Sequence, residues 1–111
     1  MAYTEKRIVP GSLLTDSAAT YYTATAPVLK TVIKEMTFCN VHTSAVTITV
    51  YIVPSGGAAD NANAEFYTAT LQAKETKIFG RTSVMETGDF IQALASVASK
   101  VAFSASGVER T

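Results

Sequence analysis

Histidine, cysteine and tryptophan, on which many binding and catalytic sites depend, are almost absent from this sequence. It contains one histidine (His42), one cysteine (Cys39) and no tryptophan in 111 residues. A single cysteine cannot form a disulfide within the chain, which excludes a disulfide-stapled secreted scaffold. One cysteine and one histidine also fall short of the roughly four ligands of a structural zinc site. We therefore expect no metal and no cofactor.

Catalytic groups are equally scarce. A serine or cysteine nucleophile needs a neighbouring base, and His42 is the only histidine. Cys39 lies three residues from it, on the opposite face if the segment is a strand, so we interpret Cys39 as a packed thiol and His42 as a turn residue. One cluster of oxygen ligands exists, formed by Asp60, Asn61, Asn63 and Glu65. Its spacing lacks the glycine and the terminal carboxylate of an EF-hand loop, so it favours a turn over a calcium site. We expect no catalytic residues and no enzymatic activity.

Charged residues are also less frequent than in most soluble domains. Charged residues make up 16% of the chain, against roughly 25% in an ordinary soluble domain. Nine basic and nine acidic residues cancel, so no net field attracts nucleic acid or an anionic membrane. No apolar run approaches the roughly 20 residues of a membrane-spanning helix, and the first residues lack the apolar core of a signal peptide. We predict synthesis in the host cytoplasm, no nucleic-acid or membrane partner, and a neutral surface that neighbouring subunits can bury.

Strand-forming residues are abundant instead. Valine, isoleucine, threonine, tyrosine and phenylalanine dominate the patterned segments. The clearest strand, 46–53, has aliphatic residues at its even positions and mostly threonine or tyrosine at its odd ones, which predicts one core-facing side. Val32, Met36 and Phe38 of the preceding run are expected to face the same core. The predicted strands are 7–14, 20–24, 28–41, 46–53, 64–71, 75–79, 88–95 and 101–108.

About eight short strands separated by turns predict an all-β fold. The expected architecture is a single antiparallel β-sandwich or jelly roll over residues 1–111. Its longest loop is 54–63, which is rich in glycine, alanine and asparagine. The segment 96–100 is expected to be a short hairpin turn.

An exposed apolar face is predicted on the hairpin formed by the fourth and fifth strands. If Ile52 lies opposite Phe66 in the core, then Tyr51 pairs with Tyr67 on the other side. That outward face would carry Tyr51, Val53, Tyr67 and Leu71. A free monomer usually avoids such a surface. Another part of the same chain, a second subunit or a sugar is therefore expected to cover it.

Several segments resemble small all-β structural proteins of tailed bacteriophages. Phe38-Cys39-Asn40 and the run Ala45–Asp60 match that family's series of Cys-Asn, alternating Val-Thr, Ile-Val-Pro, Gly and Ala-Asp. Met85–Ser96 and the ending Ser106–Glu109 look like the family's final strands. The resemblance covers residues 30–110 and implies a virion component, as a head-decoration, neck or tail accessory protein. It brings no set of functional residues with it.

We therefore expect a non-enzymatic structural subunit of a virion. Its partners would be other copies of itself and other virion proteins, bound through packing of neutral apolar surface and main-chain pairing at sheet edges. Residues 1–30 lie outside the resemblance and are considered as an arm that contacts neighbouring subunits. The candidate interface residues are Tyr21, Tyr22, Tyr51, Val53, Tyr67 and Leu71. The alternative is a host-attachment module of the phage tail that holds a host-surface glycan.

Overall fold

Nine β-strands make up the chain in a computed structural model that describes residues 2–80 and 82–111. The strands are β1 (Tyr3–Leu13), β2 (Ala19–Thr23), β3 (Lys30–Asn40), β4 (Val46–Val53), β5 (Ala64–Leu71), β6 (Thr76–Phe79), β7 (Ser83–Glu86), β8 (Phe90–Ala95) and β9 (Val101–Arg110). One turn of 3-10 helix, Asn61–Asn63, precedes β5. The all-β class is confirmed, and β7 is a strand that the sequence analysis missed.

The strands form two antiparallel sheets. The first has the order β1-β9-β3-β6, with β7 also paired to β3, and the second has the order β2-β8-β4-β5. Because β6 and β7 pair with successive halves of β3, they share one position in the sheet. The chain crosses between the sheets at most connections, and this strand order is a jelly roll. The structure therefore adopts the jelly-roll form of the predicted fold.

The turn at 96–100 differs from its prediction. It connects β8 in the second sheet to β9 in the first, so it is a crossover rather than a hairpin. Backbone hydrogen bonds hold it, with Ser96 N–H donating to Thr47 O at 2.9 Å and Ser99 N–H donating to Leu14 O at 2.9 Å. Local turn chemistry predicts that a chain reverses direction but not which strand it then joins.

The core lies between the two sheets and is centred on aromatic rings. Phe38 stacks on Phe103 with ring centroids 4.7 Å apart and an interplanar angle of 2°. Phe66 and Phe79 meet the Phe38 ring edge-on. The aliphatic residues Val46, Ile48 and Val50 of β4, together with Met36 of β3, are buried as predicted. The alternation read from the sequence therefore places the main core correctly.

A bulge in β3 reverses part of the prediction for that strand. Ile33 pairs with Gly107 and Glu35 pairs with Ser106, so Lys34 is an extra residue. One extra residue exchanges the two faces of a strand. Ile33 is fully buried, while Val32 is half-buried. The expectation that Val32 faces the core is wrong for this reason.

A second bulge, in β5, changes the predicted hairpin. Val50 pairs with Phe66 and Ile48 with Ala69, so two residues of β5 lie opposite Thr49. The predicted pairs Ile52–Phe66 and Tyr51–Tyr67 are therefore wrong. The Thr49 hydroxyl accepts a hydrogen bond from the N–H of the bulged residue Thr68 at 3.1 Å. This side-chain hydrogen bond gives the Thr68 N–H an acceptor in place of the backbone partner that it loses at the bulge.

The first strands pair within the two sheets. β1 pairs with β9, and β2 pairs with β8. Ala2 continues the first pairing by exchanging two backbone hydrogen bonds with Thr111. β1 and β2 thus form edge strands of the two sheets. Contact of these strands with a neighbouring subunit stays a prediction.

Candidate interaction surface

Tyr21 and Tyr22, two of the candidate interface residues, face inward. Tyr21 meets the ring of Phe103 edge-on at 5.8 Å. Its hydroxyl accepts from Thr15 N–H at 3.3 Å and donates to Leu13 O at 3.4 Å. The ring therefore belongs to the edge of the core rather than to a free surface.

Tyr22 ties the two sheets together. Its hydroxyl, carried on β2, donates to the Glu109 carboxylate of β9 at 2.5 Å, and Thr31 Oγ of β3 lies 2.7 Å from the same oxygen. Lys6 Nζ of β1 lies 3.3 Å from Glu109 Oε1. Burial, and then the hydrogen bond to Glu109, raise the pKa of Tyr22 to about 12. The hydroxyl thus stays protonated and donates across the sandwich at neutral pH.

The predicted outward face on β4 and β5 is only partly exposed. Leu71 pairs with Val46 and is fully buried in the core because of the bulge in β5. Val53 is also fully buried, and a Cβ added at Gly57 would lie 3.5 Å from Val53 Cγ1, so the loop after β4 covers it. The outward position predicted for Leu71 is therefore wrong, whereas the cover over Val53 is a loop of the same chain, which was one of the expected alternatives. Tyr51 is half-buried and Tyr67 is 61% exposed, and their contact with a second subunit stays a prediction.

Side chains of the 54–63 loop take part in turn chemistry. Asp60 accepts from Ala62 N–H at 2.9 Å and caps the 3-10 helix, while Asn63 Oδ1 accepts from Asp60 N–H at 3.1 Å. Glu65 accepts from the Ser83 hydroxyl at 2.9 Å. The turn interpretation is confirmed for Asp60 and Asn63, whereas Glu65 lies in β5. In the described part of the chain, no three His, Cys, Asp or Glu side chains lie close enough together to hold a metal ion.

The remaining residues singled out from the sequence lie at the end of β3. Cys39 is half-buried and unpaired, beside Ala102 of β9. His42 follows in the turn, where its N–H donates to Asn40 Oδ1 at 2.9 Å. The prediction that His42 is a turn residue is confirmed.

A surface that the sequence analysis missed lies on the outer side of the first sheet. Val108 of β9 pairs with Val32 of β3, and Val32 pairs with Val84 of β7, so three valines form one row across the sheet. A groove of about 220 Å³ runs over them, lined by Tyr3, Lys30, Val32, Val84, Val108 and Arg110. Tyr3 and Val84 are 68% and 58% exposed. We call this surface the valine face.

Charged residues flank the valine row on both sides. The neighbouring row on one side crosses the start of β1 and the end of β9, and it contains Tyr3, Arg110, Lys30 and Glu86 in register. The row on the other side contains Arg7, Ser106 and Glu35. Lys30 forms an ion pair with Glu86, whereas the buried Nε of Arg110 has no hydrogen-bond partner among the described residues. Because its strands lie far apart in sequence, no local pattern signals this surface.

The sheet edges are less suited to contact than this face. β1 and β5 each contain two register shifts, β2 has five residues with a shift, and β6 and β7 have four residues each. Short and bulged edge strands oppose pairing with another chain. Side chains also bridge one edge, where Lys77 Nζ donates to Thr70 O at 2.9 Å. These features favour contact through a sheet face over the predicted main-chain pairing.

No helix among the described residues is long and apolar enough to cross a membrane.

Two solved structures share this architecture. A chain of the Bacillus endospore appendages, a family of disulfide-linked pili, superposes with a TM-score of 0.59 at 10% identity, covering 98% of this chain and 88% of that one. A chain of the infectious bursal disease virus Gx strain superposes with a TM-score of 0.50 at 16% identity, covering 97% of this chain and 30% of that one. The likeness is one of fold. No protein-family model and no curated protein matches the sequence.

Proposed function

We propose that this protein is a non-enzymatic structural subunit of a bacteriophage virion. The observation that carries the proposal is the valine face, where a row of three valines beside Tyr3 lies on the outside of the sheet. Contiguous apolar surface of this kind marks a protein contact more often than free surface. Packing of this face against other copies and against other virion proteins is the mechanism.

Fold and sequence support the same function. The similar folds come from a pilus and from a virus, and jelly rolls recur in viral capsid domains. The choice of a bacteriophage, as a head-decoration, neck or tail accessory protein, rests on the resemblance over residues 30–110. The virion is accordingly the proposed location.

A host-attachment module that binds a glycan is the second candidate. Tyr67 favours it, because this aromatic side chain on β5 of the second sheet is 61% exposed. Exposed aromatic rings are a common platform for sugars. The polar groups of Asp60 and Asn63 are less available, since they cap the 3-10 helix.

Purified particles of the phage that encodes this chain provide the test. Mass spectrometry and immunogold labelling should find the protein on wild-type particles. Val84→Lys should reduce its incorporation at least about tenfold, because burying an unpaired charge opposes packing. Tyr67→Ala should leave both incorporation and host adsorption unchanged. Absence of the protein from particles would refute the structural function, and loss of adsorption by Tyr67→Ala with intact particles would favour the glycan-binding module.

A further inference from the structure

We infer that the valine face binds a second copy of this chain, face to face, about a two-fold axis that runs along the valine row. This inference rests on the proposed structural function and names the surface and the partner that the function uses. It follows from the order of charges around the valine row and from the strand register that places them.

The described residues of the face carry charges of both signs in nearly equal number. Across the three registered rows, the cationic residues are Arg7, Lys30 and Arg110, and the anionic residues are Glu5, Glu35 and Glu86. The bulge in β3 adds one cation, Lys34, between the valine row and the row of Arg7. A partner of different chemistry would be selected by a face of one sign, as basic surfaces select nucleic acid. A face with charges of both signs around an apolar row complements itself where opposite signs meet. A second copy therefore fits it better than a strongly charged partner.

The register gives the arrangement of the two copies. An axis along the valine row places Val32, Val84 and Val108 against the same residues of the second copy. The same rotation exchanges the two flanking rows, so that Lys30 of each copy faces Glu35 of the other. It also brings the second copy's Arg7 over Tyr3, which permits a cation–π contact.

The size of the contact predicts weak association. Three rows and four strand positions, at spacings of about 6.6 Å and 4.8 Å, give roughly 400 Å² per copy. A total near 800 Å² lies below the range of stable interfaces, so the dimer is weak in free solution. Glu5 of one copy faces Glu5 of the second copy at the sheet edge, where solvent screens the repulsion between the two carboxylates. Attachment of many copies to one particle raises their effective concentration and strengthens such a contact.

Sedimentation of the full chain tests the pairing, up to a concentration of about 500 µM. The mass of the wild-type protein should rise from monomer toward dimer. Val84→Lys should weaken association at least about tenfold, while Ile78→Lys should not. Ile78 is a matched control because it lies on the first sheet's edge strand β6 and is 62% exposed, but it lies outside the three rows. A strictly monomeric wild type, or equal loss in both variants, would overturn the inference.

A charge exchange tests the partner and the register. Lys30→Glu and Glu35→Lys should each weaken the dimer about tenfold or more, because each places like charges across the axis. The double variant should recover to within about threefold of the wild type, since the facing pair is restored with its signs reversed. Thermal melting of each variant separates a loss of pairing from a loss of folding, including the loss of the ion pair between Lys30 and Glu86. A double variant no better than the single ones would overturn the inference.

Particle analysis separates this inference from the proposed function. A protein that is present on particles but shows no pairing through the valine face refutes the inference alone. A protein that pairs as described but is absent from particles refutes the virion function alone.

Discussion

Removing one hydroxyl group should show how much the tie between the sheets contributes to stability. Tyr22→Phe deletes the 2.5 Å hydrogen bond to Glu109 and leaves that carboxylate, which is only 9% exposed, with Lys6 as its remaining charged partner. Hydrogen bonds to charged groups contribute about 1.5–3 kcal/mol. Because Lys6 remains, we expect the lower part of that range, about 1.5–2 kcal/mol. For a domain of this length, that corresponds to a fall in Tm of about 6–9 °C.

Tyr21→Phe is the matched control for this variant. It removes the neighbouring hydroxyl, whose bonds of 3.3 and 3.4 Å to backbone groups are long and exposed. Its expected cost is below about 0.5 kcal/mol. Urea unfolding monitored by circular dichroism measures both variants. The account of the tie would be refuted if Tyr22→Phe cost no more than Tyr21→Phe.

The pH dependence provides an independent check on the same group. The pKa of Tyr22 is raised from 10.0 to about 12, first by burial and then by the bond to Glu109. A raised pKa means that the stabilisation is fully present below a pH of about 10 and is lost as pH rises through about 12. The difference in unfolding free energy between wild type and Tyr22→Phe should therefore be constant near neutral pH and shrink above a pH of about 10. A difference that grew in that window would contradict the assignment.

Three further substitutions test the core and the bulges by urea unfolding. Ile48→Ala should cost about 2–5 kcal/mol, because it removes a fully buried side chain and leaves a cavity; a cost below about 1 kcal/mol would exclude its place in the core. Thr49→Val should cost about 1–2 kcal/mol, because it leaves the Thr68 N–H without its acceptor. An unchanged free energy of unfolding would show that the Thr49 hydroxyl does not stabilise the bulge. Gly107→Ala should cost at least about 2 kcal/mol, since the new Cβ would lie 2.0 Å from Val32 O; wild-type stability would show that the strands are not this close.

The predicted interface shows that a local sequence pattern predicts strand bounds but not strand register. The bounds of β4 and β5 match the predicted strands 46–53 and 64–71. The prediction then failed at Leu71, because it assumed an unbroken ladder and the bulge at Thr68 shifts the register. A shift of one residue exchanges the inner and outer faces of a strand. Nothing in the composition of β5 signals that shift, which depends on the Thr49 hydroxyl of the partner strand.

Only pairing between strands distant in sequence created the valine face. Val32, Val84 and Val108 adjoin because β9 lies between β1 and β3 and because β7 joins the other side of β3. Alternation along a single strand reports which residues share a side, but it does not report which strand lies alongside. The same limit applies to Tyr22, whose partners Thr31 and Glu109 come from the opposite sheet. Local pattern predicts neither contact.

The sequence by itself determined that this chain folds as a sandwich of short strands with Phe38 and the even positions of β4 in its core. Period-two alternation and β-branched composition are local properties, so they do not depend on which strands pair with one another. The tertiary structure alone decided the jelly-roll order, the inward positions of Tyr21 and Tyr22, and the outward position of Val32. Those outcomes depend on bulges and on pairings between distant strands, whose energies involve residues that no local window contains.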